Sequence, residues 1–320
     1  MEYRELMYIV TEDGMTAGKI MRDKMHLSGR EVSRCKQFEE GVMISESERG
    51  IKPARLIDKL QKGQVLIVRL YEDTENAGDI VPIDGEIDIV YEDEDLIVLN
   101  KPGDMVVHPS YAHYTDSLSN FLAGYYKRTG QNHVIRTVGR LDRETSGLVM
   151  FAKNRHAAAL LGGQKDNMSK RKEYLALCHG IFENAEETID APIRRKPGDR
   201  MIREIHPDGK EAVTHYHVER QLEDYALVRL HLDTGRTHQI RVHMSCIGHP
   251  LLGDNFYGRE ESDSKNNLQK DSLRKKADRC GHGLTRAALH AGKLEFIHPI
   301  TNDVIKLVAE LPEDISKLLI

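Results

Sequence analysis

Two hydrophobic periods alternate along this chain. Tyr225-Ala-Leu-Val-Arg-Leu-His-Leu232 switches apolar and polar positions residue by residue, which predicts a strand with one buried face. Val134-Ile-Arg-Thr-Val138 and Leu148-Val-Met-Phe-Ala152 have few polar interruptions and predict two further strands. Ile87-Asp-Ile-Val-Tyr91 and Leu96-Ile-Val-Leu99 predict a hairpin around Glu92-Asp-Glu-Asp95. After Thr234-Gly235 the spacing lengthens. Ile240, Met244 and Ile247 then predict the inner face of a helix that starts at Thr237.

The first 72 residues carry a smaller pattern of their own. A strand end followed by a helix is expected between Thr11 and Met25, with Ile20 and Met21 turned inward. Ser28 is placed to cap the next helix, on which Val32, Cys35 and Phe38 fall three apart while Arg30, Arg34 and Lys36 take polar faces. Strands are expected at 41–44 and 64–70, with a turn at Lys62-Gly63. Residues 73–86 are acidic, contain Gly78, Pro82 and Gly85, and suit a linker. Residues 87–320 form the larger part. Its long antiparallel strands with helices between them predict an α+β fold rather than a doubly wound parallel sheet. Polar, charge-rich residues 258–283 are expected to be a surface insertion.

Between two of the expected strands stands Gly139-Arg-Leu-Asp-Arg-Glu-Thr-Ser-Gly147, a short polar loop presenting Asp142. Thr145, Ser146 and Gly147 are turn formers. From the loop alone Asp142 is either a turn cap or a reactive carboxylate held by rigid strands.

Several stretches together tip that balance. Arg140-Leu-Asp142 with Thr145-Ser-Gly147 resembles the catalytic signature of RNA pseudouridine synthases of the RluA/RluD family. Asn100-Lys-Pro102, Lys172-Glu-Tyr174, Gly235-Arg-Thr-His-Gln-Ile-Arg-Val-His243, His249-Pro-Leu-Leu-Gly-Asp254 with Tyr257-Gly258, and Leu289-His-Ala291 with His298-Pro299 follow the family's order. Gly139 stands where that family usually has His. The resemblance implies the pseudouridine synthase fold, a mixed, largely antiparallel sheet. It also implies conversion of uridine to pseudouridine in RNA without a cofactor, mainly in large-subunit ribosomal RNA, with transfer RNA as the alternative substrate. The first 72 residues resemble the alpha-L RNA-binding domain of a small-subunit ribosomal protein, although Ser45-Glu-Ser-Glu48 replaces its usual Asn-Gly.

Carried onto this chain, the resemblance makes Asp142 the essential carboxylate, acting as nucleophile or as base. Arg241 would be its cationic partner through two hydrogen bonds, and Tyr174 a stacking platform for the extruded uracil; otherwise these are a surface arginine and a core tyrosine. Arg140 would fill the space the base vacates, or else contact a phosphate. Leu232 and Ile240 would wall the pocket. Arg30 and Arg34, the cluster Lys170-Arg171-Lys172, and Arg236, His238 and Gln239 are the candidate RNA contacts.

Composition changes this picture little. A formal net charge of −5, from 46 Lys plus Arg against 51 Asp plus Glu, is unusual for an RNA binder. A local basic groove is still compatible with it; Arg194-Arg195-Lys196 and Arg274-Lys275-Lys276 are further clusters. No secretory leader or membrane span is expected, and a cytoplasmic monomer is the default. Cys35, Cys178, Cys246 and Cys280 lie apart, which suits reduced, mostly buried thiols. No metal is expected: His238 and His243 are five apart, and His215-x-His217 lacks obvious partners in sequence. Gly162-Gly163 is isolated and makes no phosphate loop. Two other classes stay open. One is a non-catalytic RNA-binding or ribosome-assembly factor; the other is a glycoside hydrolase pairing Asp142 with Glu144.

Overall fold

The computed structural model describes residues 3–46, 50–72, 80–164, 170–258 and 282–320. The chain divides into two compact units. In the first, strands Tyr3–Ile9 (β1), Val42–Glu46 (β2), Gly50–Pro53 (β3) and Val65–Tyr71 (β4) form an antiparallel sheet in the order β1-β4-β2-β3. Two short helices accompany it, Ala17–Asp23 (α1) and Gly29–Cys35 (α2). Ser28 does cap α2. Its hydroxyl accepts from the Glu31 amide at 3.3 Å, and the Glu31 carboxylate accepts from the Ser28 amide at 2.7 Å, so two orphan donors are satisfied together. Val32 and Cys35 face inward, and the Phe38 ring stacks on Tyr71 with centroids 3.8 Å apart. The sequence pattern suggested only a strand end near Thr11, not the extent of β1. Of its residues only Leu6 is buried, while Tyr3, Met7 and Ile9 are exposed, so alternation is blurred.

The second unit is built on ten strands. They are Ile89–Glu92 (β5), Leu96–Lys101 (β6), Arg136–Val138 (β7), Ser146–Ala152 (β8), Lys170–His179 (β9), Glu186–Asp190 (β10), Val213–Gln221 (β13), Tyr225–Leu232 (β14), Leu289–Ile297 (β15) and Val304–Val308 (β16). Ile193–Arg195 (β11) and Arg203–Ile205 (β12) make a separate hairpin. The sheet runs β10-β13-β14-β9-β15-β8-β6-β5, with β16 beside β15 and β7 beside β8. Among the described residues its one parallel pair is β8 with β15. Helices are Leu118–Arg128 (α3), Arg155–Gly163 (α4), Gln239–Cys246 (α5) and the short Glu313–Ser316 (α6). This is the mixed, largely antiparallel α+β architecture expected.

Both faces of β8 are covered, which explains its unbroken apolar run. Leu148, Met150 and Ala152 pack with Ala157 and Leu161 of α4, whereas Val149 and Phe151 pack with Leu118, Leu122 and Tyr126 of α3. On β14 the alternation is real: Ala226, Val228 and Leu230 meet Ile240 and Met244 of α5. Ser146 and Gly147, expected in a turn, open β8 instead, and α5 starts two residues later than Thr237. Of the segment 73–86, residues 73–79 lie outside the described residues. Residues 81 and 83 bind α3: the Ile83 amide donates to the Asn120 carbonyl at 3.0 Å, and Asn120 Nδ2 donates to the Val81 carbonyl at 2.8 Å. Residues 259–281 also lie outside, so the expected insertion, Arg274-Lys275-Lys276 and Cys280 have no structural counterpart here, nor do Ser47 and Glu48. Cys35 and Cys178 are buried free thiols and Cys246 is an exposed one. Among the described residues no helix is long and apolar enough to cross a membrane.

Candidate active site

Asp142 sits in the loop that joins β7 to β8. The Thr145 amide donates to the Asp142 carbonyl at 3.2 Å and closes a tight turn. Gly147 lets the next strand begin at once. Its φ is +107°, and a Cβ there would lie 2.3 Å from the Ala291 carbonyl oxygen, so only glycine permits the parallel approach of β15.

Three buried cations hold this loop from below. Lys101, fully buried, donates to the carbonyls of Pro102 (2.7 Å), Met105 (2.8 Å) and, in the loop itself, Arg143 (3.0 Å). Burial, with the nearby Arg286 charge, pushes its amine down to about 7. Arg286 grips Asp314 with two bonds of 2.7 and 2.9 Å and donates to the Glu144 carbonyl at 2.9 Å. Arg241 reaches the Glu144 carboxylate at 3.2 Å, which also accepts from the Ala287 amide at 2.9 Å. Burial raises the Glu144 pKa above the usual carboxylate range, and the Arg241 charge opposes that shift.

The Asp142 carboxylate is different. It is half-buried, and no hydrogen bond or ion pair from any described residue reaches it. It lines a narrow cavity of about 80 Å³ together with Tyr174, Arg241, Arg140, Leu232 and Ile240. Burial, aided by the Asp142 charge, raises the Tyr174 phenol well above its ordinary value, so it stays protonated at neutral pH. Arg140 is exposed at the cavity and donates to the Thr237 hydroxyl at 3.1 Å. Leu232 and Ile240 form its apolar wall and also belong to the core beneath α5. His238 lines the same cavity as the residue before α5 and is 7% exposed, with a left-handed φ of +58°.

The residues expected to act together are thus in one place, but two expectations need correcting. Arg241 does not grip Asp142. Its Nε and one terminal nitrogen bind the Asp254 carboxylate at 2.7 Å each, with the guanidinium over the rings of Phe256 (5.2 Å) and Tyr257 (5.4 Å). Burial works against its charge, yet Asp254 outweighs that and holds the guanidinium above its ordinary pKa. The reason is proximity: Asp254 is itself buried and faces α5, and its Oδ1 also accepts from the amides of Phe256 and Tyr257.

The second correction concerns RNA contacts. Gln239 is 2% exposed, and its amide is fully engaged with Thr234, Arg236, Val213 and Thr214, so it fixes the loop before α5. Lys170 and Lys172 lie on the inward face of β9, two apart, and donate to the carbonyls of Leu161 and Leu148. Arg171 points the other way, exposed and 3.5 Å from Glu173. Arg236 is exposed, with Nε on the Glu211 carbonyl at 2.8 Å. In the first unit Arg30 is exposed and Arg34 half-buried on α2.

The histidines separate by role. His243, fully buried, bridges Thr214 and the Ala191 carbonyl, both at 2.9 Å. His215 does have neighbours that the sequence spacing concealed: Thr188 at 2.8 Å on Nδ1, Asp233 at 3.0 Å on Nε2, and the stacked ring of His231. His217 faces Glu219 instead. These residues border a wider hollow of about 470 Å³ on the open face of β10, β13, β14 and β9. Size alone does not make it the site, because its charges already pair locally, as in Arg229 with Glu219. His298 takes two amides on Nδ1 and meets Asp93 at 2.9 Å, bracing the β5–β6 turn. Lys101, Asp254, Arg286 and Tyr257 were not foreseen as site residues, and Glu144 only as the second carboxylate of a glycoside hydrolase; all but Arg286 fall inside the motif stretches quoted above.

Comparisons with known proteins identify the family. Residues 95–246 match the sequence profile of the family described as RNA pseudouridylate synthase. The uncharacterized RNA pseudouridine synthase YlyB of Bacillus subtilis is 42% identical over 264 residues, 82% of this chain and 80% of its own length. The ribosomal large subunit pseudouridine synthase D of Haemophilus influenzae is 36% identical over 289 residues, 90% of this chain and 85% of its own. The structure of human RNA pseudouridylate synthase domain containing 4 superposes with a TM-score of 0.57 at 25% identity, covering 72% of this chain and 91% of that one. The chain belongs to the RNA pseudouridylate synthase family and is an RNA pseudouridine synthase.

Proposed function

We propose that this enzyme converts uridines of large-subunit ribosomal RNA to pseudouridine, with Asp142 as the essential carboxylate and no cofactor. The observation that carries this reading is the state of Asp142: half-buried, unbonded by any described residue, and set in a cavity beside a protonated tyrosine. A carboxylate left free of hydrogen bonds keeps its lone pairs for a reaction partner. The relatives named as large-subunit pseudouridine synthases favour ribosomal RNA as the substrate.

The isomerisation replaces the ribose–nitrogen bond of uridine by a ribose–carbon bond with no net redox change. Asp142 either attacks the anomeric carbon or removes a ribose proton, and both routes release the base as an anion. Lys101 and Arg286 fix the loop, and Arg241, bonded to Asp254 and Glu144, leaves the Asp142 oxygens unblocked. Tyr174 serves as a stacking surface and hydrogen-bond donor. Its raised pKa makes it a poor base for the proton at uracil C5. Leu232 and Ile240 exclude water, and Arg140 stands where the everted nucleotide leaves the RNA. Residues 1–72 serve as an RNA-binding domain, with Arg30 and Arg34 presented by α2.

The test uses a large-subunit ribosomal RNA transcript carrying tritium at uracil C5, which is released when the ring carbon bonds to ribose. Wild-type protein should release tritium, whereas Asp142→Asn and Asp142→Ala should release none while binding the transcript with similar affinity. Activity in either variant removes the essential role of Asp142. Release from transfer RNA but not from the ribosomal transcript moves the substrate to transfer RNA.

A further inference from the structure

His238 occupies a backbone conformation that a non-glycine residue adopts only under constraint, at φ +58° and ψ +19°. Nothing in the helix requires it. The His238 side chain makes no capping bond to α5, so the strained residue is not there for helix stability. What the conformation achieves is placement of the imidazole, 7% exposed, at the cavity that holds Asp142 and Tyr174.

The ring's protonation pattern follows from its neighbours. The Tyr257 hydroxyl oxygen accepts the Arg203 amide at 2.9 Å and lies 2.8 Å from His238 Nδ1. Burial raises the Tyr257 phenol to about 12, so its proton is retained. Among the described residues that proton has one acceptor within hydrogen-bond distance, His238 Nδ1. Nδ1 therefore accepts, and in the neutral ring the proton sits on Nε2. Burial lowers the imidazole pKa, partly opposed by the Asp142 charge, which keeps the ring neutral near pH 7. Phe256 stacks on the ring at 5.8 Å and 19°, fixing its plane. Nε2 has no protein partner among the described residues and is not sealed off from solvent. A rigid N–H donor is thus left without a protein partner on a residue that lines the cavity.

We propose that His238 Nε2–H donates to a carbonyl oxygen of the everted uracil, stabilising the base as it leaves ribose. When the N1–C1′ bond breaks, its electron pair goes to the base and delocalises onto the two ring carbonyls. A fixed donor aimed at such an oxygen stabilises the charge that develops there. The arrangement Arg203 amide, Tyr257 hydroxyl, His238, uracil carbonyl is a one-directional relay, and no proton need transfer along it. This rests on the uridine isomerisation proposed above and assigns His238 to the base, not to RNA phosphates.

Single-turnover tritium release from the labelled ribosomal transcript, measured beside RNA affinity and thermal unfolding, separates the possibilities. His238→Phe should slow release by about 10²-fold, with affinity and unfolding near wild type. His238→Gln, whose amide can donate from a similar position, should recover part of that loss. Tyr257→Phe, which frees the tautomer, should fall between. Substitution of 4-thiouridine, a weaker acceptor, should slow wild type more than His238→Phe if the contact is to O4; 2-thiouridine tests O2 likewise. Wild-type rates in His238→Phe, or a loss confined to affinity, or equal responses to both thio-substitutions in the two proteins, would overturn the assignment. If wild-type protein releases no tritium from ribosomal or transfer RNA transcripts, the isomerisation reading itself falls.

Discussion

Arg241 and Asp254 form a buried two-bonded ion pair, both contacts at 2.7 Å, although Arg241 was expected to pair with Asp142. The pairing makes Arg241 a source of positive field at Asp142 without occupying its oxygens. A guanidinium bonded to Asp142 would neutralise the nucleophile or base it was meant to activate. Removing Asp254 leaves a guanidinium that is 1% exposed with only its single 3.2 Å contact to Glu144. Asp254→Ala should therefore destabilise the second unit by about 3–5 kcal/mol in urea unfolding. Asp254→Asn should do less damage because it keeps an acceptor. An Asp254→Ala protein with a wild-type midpoint would show that the pair contributes little.

Gly147 supplies the second prediction. An alanine methyl at that position would sit 2.3 Å from the Ala291 carbonyl oxygen, and φ of +107° strains any side chain. The obstacle is backbone on a central strand, which cannot swing aside. Gly147→Ala should lower stability by more than about 2 kcal/mol and reduce turnover, because β8 carries the Asp142 loop. Gly130→Ala, with φ of +71° but nothing within 4 Å, is the control that isolates backbone strain from collision.

A strong period-2 pattern placed β14, two apolar runs around an acidic turn placed the β5–β6 hairpin, and the capping residue Ser28 placed the start of α2. The gathering of Asp142, Tyr174 and Arg241 followed from family motifs, not from periodicity. What could not be read was pairing between distant segments. Nothing in a string of residues says that Arg241 faces Asp254 instead of Asp142, since both are carboxylates within reach of one helix. Nor does a basic run reveal that β9 turns Lys170 and Lys172 inward while Arg171 faces out; strand pleating divides such a cluster between two faces. Of β1 only a strand end near Thr11 was legible, because its hydrophobic residues are mostly exposed and burial left no pattern.

Lys101 gives up its proton at a lower pH than a surface lysine, because burial disfavours its charge. Its amine is pushed down to about 7 in the folded protein from an ordinary 10.5. Between those values the unfolded chain holds a proton that the folded protein has released. Stability therefore rises with pH across the window, and that gain is lost as pH falls through the folded value. Wild type should gain about 2 kcal/mol relative to Lys101→Met between pH 7 and pH 9, read from urea unfolding at each pH. The penalty of three carbonyls left without a donor is common to both pH values and cancels in the comparison. A difference that is flat with pH would show that Lys101 keeps its proton throughout.

Arg30 and Arg34 provide the last test, of whether the first unit touches RNA. Both lie on α2, a helix capped by Ser28 and seated by Val32 and Cys35, and Arg30 is exposed. Among the described residues no hydrogen bond or ion pair engages either guanidinium. Each phosphate neutralised by such a side chain releases a condensed counterion, so affinity falls with salt in proportion to the number of contacts. Arg30→Gln and Arg34→Gln should each weaken binding to the ribosomal transcript and reduce the slope of log affinity against log salt by about 1. The single-turnover rate at saturating RNA should not change, because neither residue lies in the cavity of Asp142. An unchanged slope in the double variant would leave the first unit without a phosphate-binding role, whereas a fall in the saturated rate would mean that it also positions the substrate for chemistry.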